Sequence, residues 1–331
     1  MPRPGNRPGD ELMLRRLAKL GAVIVAALVL AVVALLSWSH VTIRRERAPL
    51  PAAAELAVLP ASAQRPVRLS WINTASQPLP ASSVLSSAPG PDARGYVMSH
   101  PSFVLEWADG SILLVDAGMD REQALGFGRM LGWLPGAEPI QPHGSLAAQL
   151  GGARARVRGI VFTHPHEDHV GGVLELCREG SRIALLRTPA QAERSNHTTW
   201  AASEMLARSP CLDELRLGPA PAQALAGFPG VAVIDAGGHT PGTQVVLAEV
   251  GDGEAVRRYA FTGDVVNHVD GIRRDVGKPL LYRLLVVPED EARLGELRRL
   301  LATLESEHGF QPLVSHDELS LEAAGVPRFS P

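Results

Sequence analysis

Residues 164 to 169 read His-Pro-His-Glu-Asp-His, so the imidazoles of His164, His166 and His169 and the carboxylate of Asp168 fall within six positions. With the His content of this chain, a chance H-x-H-x-D-H is expected in roughly one sequence of this length in two thousand. A solvated polar loop is therefore a poor account of it. Imidazole and carboxylate are the ligands of a borderline divalent cation such as zinc. The run Arg158-Gly159-Ile160-Val161-Phe162-Thr163 before the cluster reads as a buried strand, and Val170-Gly171-Gly172 after it opens a helical stretch. Histidines at i and i+2 suit an irregular turn that aims both rings inward, whereas a helix brings i and i+4 onto one face.

Three later elements follow in order: Gly238-His239-Thr240-Pro241-Gly242-Thr243, Phe261-Thr262-Gly263-Asp264, and Val314-Ser315-His316-Asp317 at the end of an apolar run. With the first cluster, and with Ile112-Leu113-Leu114-Val115-Asp116-Ala117-Gly118 upstream, this order resembles the metallo-β-lactamase superfamily over roughly residues 67 to 331. The resemblance implies that His164, His166 and His239 hold one zinc, that Asp168, His169 and His316 hold a second, and that Asp264 spans both. Asp116 then orients a ligating histidine from outside the ligand set. It also implies an α/β fold, a four-layer αβ/βα sandwich with the metals at one edge of two sheets.

A site with three protein ligands leaves a position open for water, which marks it as catalytic. Two ions roughly 3.5 to 4 Å apart can share a hydroxide, polarise the attacked oxygen and hold the leaving oxygen. On this reading Asp168 and Asp264 hold metal and orient the hydroxide. Zinc, two per chain, is the default cofactor; manganese and iron fit the same donors. A structural zinc site is usually closed and thiolate-rich, and neither Cys177 nor Cys211 lies at a ligand position. A module that binds metal without turnover is the alternative of another class. His268 and Tyr282 are candidates for substrate contacts, and His100, His143, His197 and His308 are read as surface groups or outer partners.

These residues must be positioned by the elements around them, and the first element is not part of the enzyme. Residues 20 to 43 carry no charge, and Leu20 to Leu36 is almost wholly Ala, Val, Leu and Ile, long enough to cross a bilayer. Arg3, Arg7, Arg15, Arg16 and Lys19 precede it and Arg44, Arg45 and Arg47 follow, a modest bias toward a cytoplasmic N-terminus. Ser37-Trp38-Ser39-His40 offers no small-x-small cleavage site, which favours an uncleaved anchor over a signal peptide. The expected organisation is a short cytoplasmic segment 1–19, a transmembrane anchor 20–38, a linker 39–66 and a hydrolase domain 67–331. The catalytic domain then lies on the outer side of an inner (plasma) membrane. Residues 48 to 66, rich in Ala and Pro, suit an extended tether.

The chain has a formal net charge of −3 and no basic run beyond the membrane flank, which argues against a nucleic-acid partner and for a small-molecule substrate. Oligomeric state is open. Asp109-Gly110 is expected to join Phe103–Trp107 to Ser111–Val115 as a hairpin, and Pro288 to His308 is the clearest helix, with leucines at 294, 297, 300, 301 and 304 and a stop at Gly309. The stretch Met119 to Gly152 is either a pocket wall suited to an acyl chain or a peripheral helix. Cys177 and Cys211 are a disulfide if exported, or two small buried residues.

By the resemblance, Asp264 makes a dedicated β-lactamase less apt, and the run from His239 to Gln244 is similar to the lactonase and glyoxalase II-like branch. Ester or lactone hydrolysis is the expectation, with thioesters and phosphodiesters as alternatives.

Overall fold

Twelve strands and their covering helices form four layers in the computed structural model, which describes residues 8–44, 49–86, 95–177, 182–251 and 255–331. Arg3, Arg7, Arg45 and Arg47, part of the charge bias read from the sequence, lie outside the described residues. The first sheet contains β1 (Arg68–Leu79), β2 (Tyr96–Glu106), β3 (Ile112–Val115), β4 (Gln141–Pro142), β5 (Val157–Val161), β6 (Ile183–Arg187) and β7 (Leu212–Arg216), in the spatial order β4-β1-β2-β3-β5-β6-β7. The second contains β8 (Ala222–Ala224), β9 (Val231–Asp235), β10 (Gln244–Val250), β11 (Arg257–Gly263) and β12 (Phe310–Val314), in the order β12-β11-β10-β9-β8.

Strand periodicity builds the layers. In β3, Leu113 and Val115 point to the core between the sheets, where they meet Phe103, Val233, Val246 and Phe261. Ile112 and Leu114 point the other way, under the helices that include Leu146, Leu150, Val170 and Val173. A strand covered on both faces reads as a continuous apolar run. The expected hairpin is present, with Phe103 opposite Val115 and Gly110 at φ +81° in the turn.

Over the outer face of the second sheet lies the helix Glu291–His308, whose Leu294, Leu297, Leu301 and Leu304 are buried against Ile234, Leu247 and Phe310. It starts three residues later than the sequence suggests. Asp290 caps it by accepting from the Arg293 amide, and Glu289 is drawn inward instead of serving the helix terminus. Gly309, at φ +69°, ends it in a left-handed cap.

The Ala/Pro-rich segment departs from the expected extended tether. Ala53–Val58 is helical and fully buries Leu56 in the same cluster as Leu297 and Leu301. Burial of one apolar face outweighs the weak propensity of the stretch. The N-terminal helix runs Pro8–Arg44, and Met13–Arg44 is long and apolar enough to cross a membrane. Cys177 and Cys211 are disulfide-bonded, joining the helix after the histidine cluster to the start of β7.

Candidate metal centre

Five strand ends deliver the site. Asp116 follows β3, His164 follows β5 across a short turn, His239 follows β9, Asp264 follows β11 and His316 follows β12. The two sheets are tied at this edge: the Gln244 amide donates to the Thr163 carbonyl at 2.6 Å, and Gln244 Nε2 donates to the Phe162 carbonyl at 2.8 Å. The glycine before Asp264 is sterically required. Gly263 has φ +50°, and a Cβ there would lie 2.6 Å from Thr163 Cβ.

The seven residues expected from sequence converge. His164 Nε2 and His239 Nε2 lie 3.0 and 3.2 Å from His166 Nδ1. On the other side, His169 Nε2 and His316 Nε2 are 3.2 Å apart, and Asp168 Oδ2 is 3.3 Å from the latter. Asp264 lies between the two groups. Its Oδ1 is 3.1 Å from His316 Nε2 and 3.3 Å from His169 Nε2, while its Oδ2 is 3.6 Å from His239 Nε2. All are buried except His166, which is partly exposed.

The donor set fits metal. Ligands about 2.0–2.1 Å from a tetrahedral ion sit about 3.3 Å from one another, close to these separations. Asp264 Oδ1 is buried and, although beside two imidazole nitrogens, has no hydrogen-bond partner. Every inward-facing imidazole has its other nitrogen engaged: Thr163 Oγ1 at 3.2 Å from His164 Nδ1, Thr198 Oγ1 at 3.0 Å from His166 Nε2, Asp116 Oδ2 at 2.9 Å from His169 Nδ1, Glu289 Oε1 at 2.6 Å from His239 Nδ1, and the Ser99 carbonyl at 2.7 Å from His316 Nδ1. Such outer partners fix the tautomer and turn each free lone pair toward the centre. Asp116, at the uncommon φ of +61°, also accepts from the amide and hydroxyl of Thr163.

Electrostatics favours cations. Burial lowers the pKa of His164, of His239 and of His166, the last to about 3, so these rings are neutral and able to ligate. Burial also opposes charge on His169 and His316, but Asp116 beside the one and Asp264 beside the other raise them. Burial alone would raise Asp168 and Asp264; the surrounding histidines hold both well below the ordinary carboxylate value. Four buried carboxylates, Asp116, Asp168, Asp264 and Glu289, touch the cluster or its ligands, against one buried ammonium, Lys278.

Two contributors, Glu289 and Lys278, escape sequence reading, and a third, His100, read there as a surface group or outer partner, lies buried beside Asp168. Glu289 accepts from Lys278 Nζ at 2.6 Å as well as from His239, and Lys278 also donates to the Asp264 carbonyl at 2.6 Å. His100 is fully buried, with Nδ1 3.4 Å from Asp168 Oδ2 and its ring against Phe127, and burial lowers its pKa to about 4. None of the three sits in a motif; they meet the site through the fold. Tyr282 lies beside Lys278, whose Nζ is 5.4 Å from its ring centroid; burial, with Glu289 and Asp264 nearby, raises its phenol. His268 Nδ1 accepts from the Asp270 amide, and the structure records no contact between it and the seven converging residues.

Residues 95–307 match the family model described as the metallo-beta-lactamase superfamily. The chain belongs to that superfamily and is a metal-dependent hydrolase of its fold. Among solved structures, it is similar to an N-acyl homoserine lactone hydrolase with N-hexanoyl-L-homoserine at its catalytic metal centre, at 18% identity over 78% of this chain and 96% of that one, with a TM-score of 0.57. A variant of AiiA from B. thuringiensis, solved with N-decanoyl-L-homoserine at its active site, is similar at 19% identity over 78% and 96%, with a TM-score of 0.57. AidC, a dizinc quorum-quenching lactonase, is similar at 13% identity over 76% and 89%, with a TM-score of 0.51. No curated protein sequence matches the chain.

Proposed function

We propose that the protein is a membrane-anchored dinuclear zinc hydrolase that opens an ester or lactone carbonyl on a small acyl-bearing substrate. The observation that carries the dinuclear reading is the divided carboxylate of Asp264, one oxygen toward His169 and His316 and the other toward His239. His164, His166 and His239 hold one ion, Asp168, His169 and His316 the other, with Asp264 between them. When bound, the ions supply an activated water and a Lewis acid for the carbonyl.

The chain's own groups do the remainder. Asp116, Glu289 and Thr198 keep the imidazoles oriented, and Lys278 holds Glu289 and the Asp264 backbone in place. Asp168, besides its part in the second group of ligands, takes a late role in protonating the leaving oxygen. Tyr282, packed beside Lys278, is a candidate donor to a substrate oxygen, and His268 a second. The lactone reading draws support from the structural neighbours, three of which were solved with a bound N-acyl-L-homoserine. The anchor reading draws on the apolar helix, and export on the Cys177–Cys211 disulfide, a bond that persists in oxidising compartments.

The test is proton release by the full chain, in detergent and loaded with zinc, on a long-chain acyl-homoserine lactone, beside His166→Ala. Hydrolysis by the parent and its loss in the variant is the expected result. A metal-replete parent that leaves the lactone intact but cleaves a thioester or phosphodiester would replace the substrate class, and inertness toward all three would leave a metal-binding module.

A further inference from the structure

The segment between Lys278 and Glu289 has an outer side that the metal centre does not use. Leu280, Leu281, Leu284, Leu285 and Val286 are exposed there, Leu281 at 69% and Leu285 at 58%, on and beside a single π-helical turn at Tyr282–Val286. Five large apolar side chains in seven residues, left open to water, form the kind of patch that marks an interaction surface. What lies beside it indicates its partner. His40, on the N-terminal helix, has Nε2 3.3 Å from the Leu284 carbonyl. In the two preceding residues, Ser39 Oγ hydrogen-bonds His197 Nδ1 at 2.7 Å, and Trp38 packs on the half-exposed Trp200 with ring centroids 5.7 Å apart. Ser39 and Ile43 are buried, so the end of the helix is seated on the enzyme.

Helix geometry sets the depth. At about 1.5 Å per residue, His40 lies about 30 Å along the axis from Leu20, the thickness of a hydrocarbon core. A span that enters the bilayer at Leu20 leaves it at His40, the level at which Leu284 meets the helix. The geometry points to a lipid-contact surface: the outer face of Pro279–Val287, with Trp200, sits in the headgroup and acyl boundary of the bilayer that the N-terminal helix crosses. This inference rests on the membrane-anchor reading above.

The surface is linked to the one partly exposed member of the metal cluster, His166. Thr198, two residues from Trp200, engages His166, the partly exposed member of the cluster, and Lys278 and Glu289 bracket the leucines in sequence. On the inferred placement the exposed edge at His166 would lie toward the leaflet, and the substrate class this would suit is an amphiphile whose acyl chain is dissolved in the membrane.

Because the native cysteines are paired, an introduced thiol is the one free to label. Full-length Leu281→Cys and Glu307→Cys, each carrying a nitrobenzoxadiazole probe, are reconstituted in vesicles of phosphatidylcholine and phosphatidylglycerol. Glu307 lies near the far end of the Glu291–His308 helix, about 24 Å along its axis from Glu291. The expected result is several-fold stronger quenching by doxyl-labelled lipid at position 281 than at 307, with the opposite order for aqueous iodide. Protein that floats with vesicles while position 281 stays open to iodide overturns the lipid surface and leaves the anchor standing. Position 281 shielded from iodide but not quenched by lipid assigns the leucines to a second copy of the chain, which also overturns it. Failure to float with vesicles overturns the anchor and the surface together.

Discussion

Glu289 and Lys278 hold the converging residues from outside the cluster. Glu289 is buried, accepts from His239 and is matched by a lysine that also grips the Asp264 backbone. Replacing Glu289 with Gln leaves Lys278 without its counter-charge and weakens the orientation of His239. Metal retention is expected to fall about 10 to 100-fold, the usual effect of losing an outer partner, read by competition with a chromophoric chelator. Unchanged affinity would make Glu289 a structural residue alone. Asp264→Ala reaches further, since both groups of imidazoles border this carboxylate. Metal content by elemental analysis and hydrolysis are expected to drop together, and full activity in that variant would sink the dinuclear reading. His268→Ala with unaltered kinetics would remove His268 as a substrate contact.

At the scale of elements, the site depends on strand ends that tolerate no side chain where two of them meet. Gly263→Ala adds a Cβ 2.6 Å from Thr163 at a positive φ, and strain of this kind costs on the order of 1–3 kcal/mol. Thermal unfolding should shift down accordingly, and metal affinity should fall as well, because Thr163 holds Asp116. The Cys177–Cys211 bond closes a loop with a sequence separation of 34, for which chain entropy gives about 3–4 kcal/mol. A double Cys→Ser variant is expected to lose that much in denaturant unfolding while keeping its zinc content. The helix at Ala53–Val58 shows why the tether was misread: composition describes a free segment, and Leu56 is not free.

For the whole molecule, the enzyme and its N-terminal helix share one orientation, set by Ser39, His40 and Trp38 against His197, Leu284 and Trp200. If the exposed leucines of 280–286 meet lipid as inferred, a double Leu281→Glu, Leu285→Glu variant should lose turnover of a long-chain substrate in vesicles while retaining that of a short-chain, water-soluble one. Equal loss on both would place these leucines in the fold rather than at the membrane. Removal of metal by chelation should lower the melting temperature, since ions that bind the native state alone stabilise it by mass action; the buried negative balance around Asp168 and Asp264 gives the direction.

The amino-acid sequence by itself determined the cluster from His164 to His169, the later His239, Asp264 and His316, the apolar span, the hairpin at Asp109-Gly110 and the long C-terminal helix. Each of these is a local pattern: ligand spacing, periodicity or turn chemistry acts over a few residues and leaves a trace in order and type. The tertiary structure decided the rest. That Glu289 leaves the helix terminus for His239, that His100 is buried beside Asp168, and that the leucines of 280–286 lie at the foot of the N-terminal helix all depend on contacts between segments far apart in the chain. Burial and charge pairing across such distances are properties of packing, and no spacing rule records them.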